Sequence, residues 1–477
     1  MSLMDGLECS EILFSQIDLR DRFDAEYFAK EYLHILQSLK SVCTEKLGKF
    51  SDPVASAFYP AATQLYSIGD TPFVRCVDCI DFPIITAEQE GKFEKIPYAF
   101  GKANKGISFL APGEIVITKV GTPCFASIVE DYETVALSRT VLGLPNIKGI
   151  DPYYLMVFLR CKYGFEQLYR QRELTIQYQL TLPRIKAVDV YLATSDFQKA
   201  IRHLCKHYRM VRAKASNLYS KAEIILAEEL NCFDISSCNQ STSIKTFQES
   251  FLATGRLDSE FYQPKYDQLF AALTAFTTCT LGGADGVADF QKSIEPGSES
   301  YGEKGIPFVR VSDITKFGVS APEIKLPVDI VEHPESLFPK KDSILFSKDG
   351  SVGIAYKLEE DAQFITSSAL LQLTVRDTEK VLPDYLTLVL NSPVVQLQAE
   401  RASNGAVIQH WKPSEIQQVI IPILDMSEQK KLSQIIQESF SLRRRSEQLL
   451  NCAKQAVELA IEQGEDIAIA WLKDKVK

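Results

Sequence analysis

No run of apolar residues in this 477-residue chain approaches the ~20 that a membrane-spanning helix needs. A charged-then-apolar leader pattern is missing from its start, so a cytoplasmic location is expected. There is no GxxxxGK[ST] loop to cradle a nucleotide's phosphates. Nor does a glycine-rich cofactor loop precede anything like the Asn/Asp-Pro-Pro-aromatic tetrapeptide that holds a flipped base for methyl transfer. Asp151-Pro152-Tyr153-Tyr154 is a faint likeness of it, but Leu382-Pro383-Asp384-Tyr385, at the corresponding place later on, reads as a helix start. Excess positive charge is lacking too, with a formal net charge of −10. That argues against a nucleic-acid coat over the whole surface. A local basic face stays open, because screening confines the field to about 10 Å. The 11 cysteines are odd in number and scattered, which fits reduced thiols better than a disulfide framework. With 45% hydrophobic and 24% charged residues, the composition is that of an ordinary globular protein long enough for several domains.

Proline and glycine are also absent between Phe197 and Leu230. Within that stretch Phe197, Ile201, Leu204, Tyr208, Val211, Ala215, Leu218, Ala222 and Ile225 alternate spacings of four and three. This is a heptad stripe, and it predicts one long helix with a seam for another. The trace recurs 231 residues later as Leu432, Ile435, Ser439, Leu442, Ser446, Leu449, Ala453, Ala456 and Ala460. The small residues of the second stripe would let two axes approach closely. Because the first helix leads into the second half of the chain and the second helix leaves it, packed seams must run antiparallel.

The rest of the chain repeats as well. Arg22 to Phe28 answers Arg256 to Tyr262, each leading into a short amphipathic helix, Tyr32 to Leu39 and Tyr266 to Leu273. Pro72 to Cys79 answers Pro307 to Ile314, and the alternation predicts strands. Gly113 to Thr122 answers Asp342 to Ser351, a buried strand running into a glycine turn. Strands are predicted over Thr134 to Leu144 and Gln363 to Leu373, with Ser138 opposite Ser367. Helices are predicted to start at Pro152 and Pro383, and apolar strands to run over Ile185 to Leu192 and Ile416 to Leu424. The expected architecture is therefore α/β (α+β): two similar domains joined by two long antiparallel coiled-coil helices, a pseudo-twofold internal repeat. The expected bounds are 1–194 for the first domain, 195–231 for the first helix and 232–245 for a Ser/Thr-rich linker. The second domain spans 246–426, the second helix 427–463, and a tail 464–477.

Few residues carry chemistry. Cys76-x-x-Cys79 suggests zinc, but Val311 and Ile314 stand at the equivalent places, which favours two cysteines in core positions. His203 and His207 lie one helical turn apart and read as surface residues, since Gln434 and Glu438 replace them in the other copy. Lys119-Val120-Gly121-Thr122 and Lys348-Asp349-Gly350-Ser351 stand at matched positions. Each combines a cation, a close-approach glycine and a hydroxyl, which suits phosphate contact beside base-edge contact. Hairpin turns with a solvated lysine are the structural alternative. Gln177-Tyr178 and Gln409-His410-Trp411-Lys412 add an amide, aromatic rings and a cation. Glutamine there either reads adenine or is buried to satisfy the loop backbone. Arg75 and Arg310, placed within strands, either face a groove or pair with a core carboxylate.

Pro307 to Ile314, Phe346 to Gly353, Gln409-His410-Trp411 leading to Ile420 to Ile423, and Glu428-Gln429 together resemble the specificity subunit of a type I restriction-modification system. The likeness covers both copies. Cys124 in place of Gly353, and Glu173 in place of Gly405, are departures that predict differently shaped loops in the first copy. The resemblance implies a prokaryotic, cytoplasmic protein with two target recognition domains, each reading one half of a split, asymmetric site in double-stranded DNA. The helices would set the gap. It implies no catalysis and no cofactor in this chain: two methyltransferase subunits would carry S-adenosylmethionine, and restriction subunits would bring ATP and Mg. On this reading the candidate DNA contacts are Arg75, Lys119, Gly121, Thr122, Gln177, Tyr178, Arg310, Lys348, Asp349, Gly350, Ser351, Gln409, His410 and Lys412. The same fold would serve a recognition subunit of another methyltransferase or defence assembly. A self-contained methyltransferase and a coiled-coil adaptor without a DNA role are the remaining alternatives.

Overall fold

The structure is a computed structural model. It describes residues 10–475 except 15–16, 18–21, 23, 81, 88–92, 173–178, 232–241, 331 and 404–408. The chain forms two compact units, Met1–Ala213 with Leu442–Lys477, and Lys214–Ser441. The long helices span Ser195–Glu229 and Met426–Gln463, so each unit holds part of both.

Within the first unit the two helices run antiparallel. Thr194 donates its backbone N–H to Glu465 at 2.8 Å, while Arg212, near the unit's limit, pairs with Glu447 at 3.3 Å. Phe197, Ile201, Leu204 and Tyr208 share one apolar core with Leu449, Ala453, Ala456 and Ala460. In the second unit the Ser439 hydroxyl donates to the Ala215 carbonyl at 2.7 Å, and Tyr219, Ala222 and Leu226 share a core with Leu432 and Ile436. The heptad expectation needs one correction here. Beyond Ala215 the stripe keeps Ala222 but buries Tyr219 and Leu226 in place of Leu218 and Ile225, which are only half-buried. A helix of 3.6 residues per turn drifts against a strict 3.5-residue repeat, so the buried stripe steps on by one residue. Ile436 and Arg443 likewise replace Ile435 and Leu442 at the buried face. Beyond Gln463 the chain continues as a helix, Glu465–Lys475, whose Ala468 and Leu472 join the first unit's core.

Each head holds two main sheets, and three of the four contain a parallel pair. In the first, a five-stranded sheet is ordered Val54–Ala55, Val141–Leu144, Ile115–Thr118, Ala126–Val129, Ile84–Ile85. A four-stranded sheet is ordered Lys95–Ile96, Thr71–Val74, Val135–Leu137, Phe109–Leu110. In the second head, four strands are ordered Ala288–Lys292, Leu370–Val375, Ile344–Ser347, Ala355–Lys357, beside a three-stranded sheet of Lys325–Leu326, Ile306–Val309 and Ile365–Thr366. The parallel pairing of Val74 with Leu137 has its counterpart in Val309 with Thr366.

The repeat holds bond by bond. Gln167 ties its amide to both backbone groups of Asp189, at 2.9 Å each, as Gln398 does to Ile420 at 3.0 and 2.8 Å. The Tyr154 and Tyr385 hydroxyls donate to Tyr191 and Pro422 carbonyls at 2.8 and 2.7 Å. Gln198 and Gln429, in the first turn of each long helix, accept the N–H of Asp151 and Leu382 at 2.8 and 3.0 Å. Buried amides with both ends satisfied fix orientation, because leaving a partner unpaired costs about 1–3 kcal/mol.

The strands expected at three matched pairs of segments are shorter than the sequence suggests. Pro72 to Cys79 is extended only to Val74, after which Cys76–Ile80 is helical. The Asp78 carboxylate accepts the Arg75 N–H at 2.8 Å and turns the chain, as Asp313 does with Arg310 at 2.8 Å ahead of the turn Val311–Asp313. Thr134 to Leu144 divides into Val135–Leu137 and Val141–Leu144, where the Ser138 and Thr140 hydroxyls bond each other at 2.7 Å. Its counterpart divides likewise into Ile365–Thr366 and Leu370–Val375. Ile185 to Leu192 and Ile416 to Leu424 start inside short helices, Leu182–Lys186 and Pro413–Gln417, each with proline in the first turn. Only Asp189–Tyr191 and Ile420–Pro422 are strands there.

Candidate nucleic-acid interface

In each unit one end of the central hairpin is cross-linked to a returning loop by the same bonds. Ile115–Thr118 leads to Lys119, whose N–H donates to Thr140 at 2.8 Å and whose carbonyl accepts the N–H of Leu180 at 3.1 Å. Val120 then bridges Gln179. In the second unit Ile344–Ser347 leads to Lys348, whose N–H donates to Ala369 at 2.9 Å and whose carbonyl accepts from Trp411 at 2.8 Å. Asp349 bridges His410. Gly121 and Gly350 follow with φ of 86° and 73°, a left-handed conformation that glycine adopts at no steric cost. The two lysine–glycine turns are thus one backbone device used twice.

The side chains on it differ. Lys119 is half-buried with no ion pair among the described residues, and Gly121 and Thr122 are exposed. Thr122 also receives the Cys76 thiol on its carbonyl at 3.3 Å. Lys348 is paired with Asp349, whose other oxygen holds the His410 ring at 2.8 Å. Asp349 is therefore an internal link between a lysine and an exposed histidine. Gly350 donates its N–H to the Gln409 carbonyl at 2.9 Å, Ser351 is exposed, and its carbonyl accepts the Ser347 hydroxyl at 2.6 Å. The Gln409 and Lys412 side chains are exposed, so Gln409 is not the buried, loop-satisfying amide that was the alternative. Trp411 is buried against Phe346, with ring centroids 5.9 Å apart, and anchors the loop from below. Gln177 and Tyr178, and the comparison of Glu173 with Gly405, lie outside the described residues.

Arg75 and Arg310 do not sit within strands, as their sequence pattern suggests, but just past the ends of Thr71–Val74 and Ile306–Val309. Both are paired with carboxylates. Arg75 reaches Asp78 at 3.3 Å and Glu94 at 3.6 Å, and Arg310 lies 3.7 Å from Asp313. Burial pushes the Asp78 carboxyl above its ordinary value, and the Arg75 N–H and guanidinium pull it back. Their first role is to hold the strand end, though part of each arginine stays exposed. At this same end lies a residue the sequence pattern did not single out. Arg139 stands between Ser138 and Thr140, its guanidinium over the rings of Phe58 and Tyr59. Its signal was a mismatch, arginine where the matched segment has Ser368.

The expected difference at Cys124 is not found. Cys124 has φ 79° and Gly353 φ 88°, and both make the same turn. Cys79 is fully buried and Cys76 half-buried, in line with core positions. Among the described residues no group of three or more His, Cys, Asp or Glu is arranged to hold a metal, and no helix is long and apolar enough to cross a membrane.

Residues 286–451 match the family model of the type I restriction modification DNA specificity domain. The match falls on the second copy and the second long helix, so that stretch carries the family's domain, and the first copy repeats its bonds. Among solved structures, the S subunit of a type I restriction-modification system from M. genitalium is 12% identical and covers 91% of this chain and 95% of its own, with a TM-score of 0.36. The HsdS subunit from Thermoanaerobacter tengcongensis is 15% identical over 88% of this chain and 97% of its own, with a TM-score of 0.28. No curated protein sequence matches the chain.

Proposed function

We propose that each unit reads one half of a bipartite, asymmetric site in double-stranded DNA, and that the two long helices set the gap and dock two methyltransferase subunits. The observation that carries this reading is the twinned lysine–glycine turn. The bonds of its lysine N–H and carbonyl, and the bridge that follows, match in the two units, while the side chains it presents are Val120 and Thr122 in one and Asp349, Ser351 and His410 in the other. A common scaffold with unlike tips is what two readers of different sequences need. The contacting residues are Lys119, Gly121, Thr122, Gln177 and Tyr178 for one half-site. For the other they are Lys348, Gly350, Ser351, Gln409, His410 and Lys412, with Asp349 orienting Lys348 and His410. Lysine and backbone N–H groups suit phosphates, whereas the glutamine amide and the imidazole suit base edges in the major groove.

The chain performs no chemistry on this reading. S-adenosylmethionine belongs to the methyltransferase subunits, and ATP and Mg to restriction subunits that join them. Partners also account for the net charge of −10, since much of the surface would face protein and the cationic grip would be shared. The test is to sequence methylated bases in host DNA with and without this chain. A split motif that disappears with the chain supports the proposal. Methylation that persists unchanged contradicts it.

A further inference from the structure

We infer that Arg139 is a base-reading residue of the first unit, its guanidinium presented to a guanine in the major groove by Phe58 and Tyr59. The inference rests on the DNA reading proposed above and goes beyond it by naming a specificity residue and the base it takes.

Position comes first. The Ser138 N–H donates to the Val74 carbonyl at 3.0 Å, and the Thr140 carbonyl accepts the N–H groups of Lys119 and Val120 at 2.8 and 3.1 Å. Arg139, between them, therefore stands at the end of the head where Arg75 and the Lys119 turn also lie. Presentation comes next. The guanidinium carbon lies 5.1 Å from the Tyr59 ring centroid and 5.9 Å from that of Phe58, and the Arg139 N–H donates to the Tyr59 hydroxyl at 3.2 Å. Such stacking orients the plane and leaves its edge donors open.

The support is itself pinned. Ser56, two residues before Phe58, donates its hydroxyl to the Leu137 carbonyl at 2.6 Å, and Ala57 donates its N–H to Gly106 at 2.7 Å. A Cβ on Gly106 would come within 2.3 Å of the Phe58 carbonyl, so glycine is what lets the two segments approach. Tyr59 is buried, but Phe58 is 82% exposed, an apolar ring left in water directly beside a cation.

Charge completes the case. Arg75 is tied to Asp78 and Glu94, whereas among the described residues no carboxylate pairs with Arg139. An exposed, oriented guanidinium with no carboxylate partner among the described residues matches the O6 and N7 acceptors of guanine in a bidentate fork, the commonest specific contact to a base. The second unit does the opposite at this place. Ser368 replaces Arg139, and its hydroxyl donates to the Glu295 carboxylate at 2.9 Å. Two heads that read different half-sites are expected to differ in sign here.

The test selects duplexes from a randomised pool with the full-length chain, alone and in complex with methyltransferase subunits, as wild type, Arg139→Ala, Arg139→Lys and Phe58→Ala. The wild type should select a split site with a guanine at a fixed position in one half. Arg139→Ala should lose discrimination at that position by roughly 5- to 150-fold and leave the other half unchanged. Arg139→Lys, which keeps the charge and the fold but not the planar fork, should bind nearly as tightly with a guanine preference weaker than the wild type's and stronger than that of Arg139→Ala. Phe58→Ala should weaken the same preference. If Arg139→Ala lowers binding to all duplexes alike, the residue is a phosphate contact and the inference is overturned. It is equally overturned if Arg139→Ala keeps the guanine preference. A wild-type chain that selects no sequence would overturn the DNA reading together with this inference, and that failure is recognised because it appears without any mutation.

Discussion

Cys124 and Gly353 occupy the same point of the fold. Each has a left-handed backbone, φ 79° and 88°, and each donates its N–H to the residue six before it, Thr118 and Ser347, at 3.0 and 2.9 Å. The first unit thus forces a side chain into a conformation that costs an L-residue about 1–2 kcal/mol, and still keeps the loop.

Gly353→Ala should therefore destabilise the chain by about 1–2 kcal/mol, read as a lower denaturant midpoint. The added Cβ would lie 2.8 Å from the Gln396 Nε2, which donates to the Gly353 carbonyl. Cys124→Gly should be tolerated far better, because strain relief offsets the lost burial. Equal losses for the two variants would show that the turns are not equivalent.

The drift of the helical seam gives a second expectation. Ala456 and Ala222 are fully buried, whereas Leu218, which the heptad count places in the seam, is half-buried. Ala456→Glu or Ala222→Glu should cost several kcal/mol, an uncompensated buried charge. Leu218→Glu should cost clearly less. Thermal unfolding of the three variants decides, and an ordering with Leu218→Glu worst would restore the strict heptad.

Lys357 makes stability depend on alkaline pH. It is buried, 3.0 Å from Asp384 and 3.1 Å from Glu359. Burial lowers its pKa, but the two carboxylates outweigh burial and the net shift is upward. A folded value above the unfolded one, about 10.4, means the contribution is complete below pH ~10.4 and lost as pH rises through the folded value. Lys357→Met should remove that alkaline loss and, by taking the cation from buried Asp384 and leaving it the Gln437 amide at 2.7 Å, cost about 3–5 kcal/mol at pH 7. Urea midpoints between neutral pH and pH ~11 test it. A wild-type profile flat across the alkaline range would contradict it.

Salt dependence separates the two turns. Lys119 has no ion pair among the described residues, and Lys348 is paired with Asp349. Lys119→Ala should lower the slope of log affinity against log salt by roughly one unit. Lys348→Ala should lower it by less, since its charge is already partly neutralised. Equal slopes for both variants and wild type would remove these lysines from the phosphate contacts.

Much of the scaffold was legible because long-range bonds left marks at matched spacings. Gln167 and Gln398, Tyr154 and Tyr385, and Gln198 and Gln429 stand 231 residues apart and make the same bonds. The helices were legible because nothing interrupts their stripes. Strand ends were not, because alternation through Val74 to Cys79 looks extended, and only Asp78 folding back onto the Arg75 N–H stops it. The site was half legible. Lys119 and Lys348 carry their glycines beside them, but Arg139 depends on Phe58 and Tyr59, some eighty residues away in sequence, and an isolated phenylalanine reads as core.

The central claim is that the two heads read independently. The most direct measurement is the methylated motif in cells carrying the chain as wild type, Gln409→Ala or His410→Ala. The account predicts a relaxed base position in one half-site only, with the other half and the gap unchanged. Bases shifting in both halves together, or a changed gap, would contradict it.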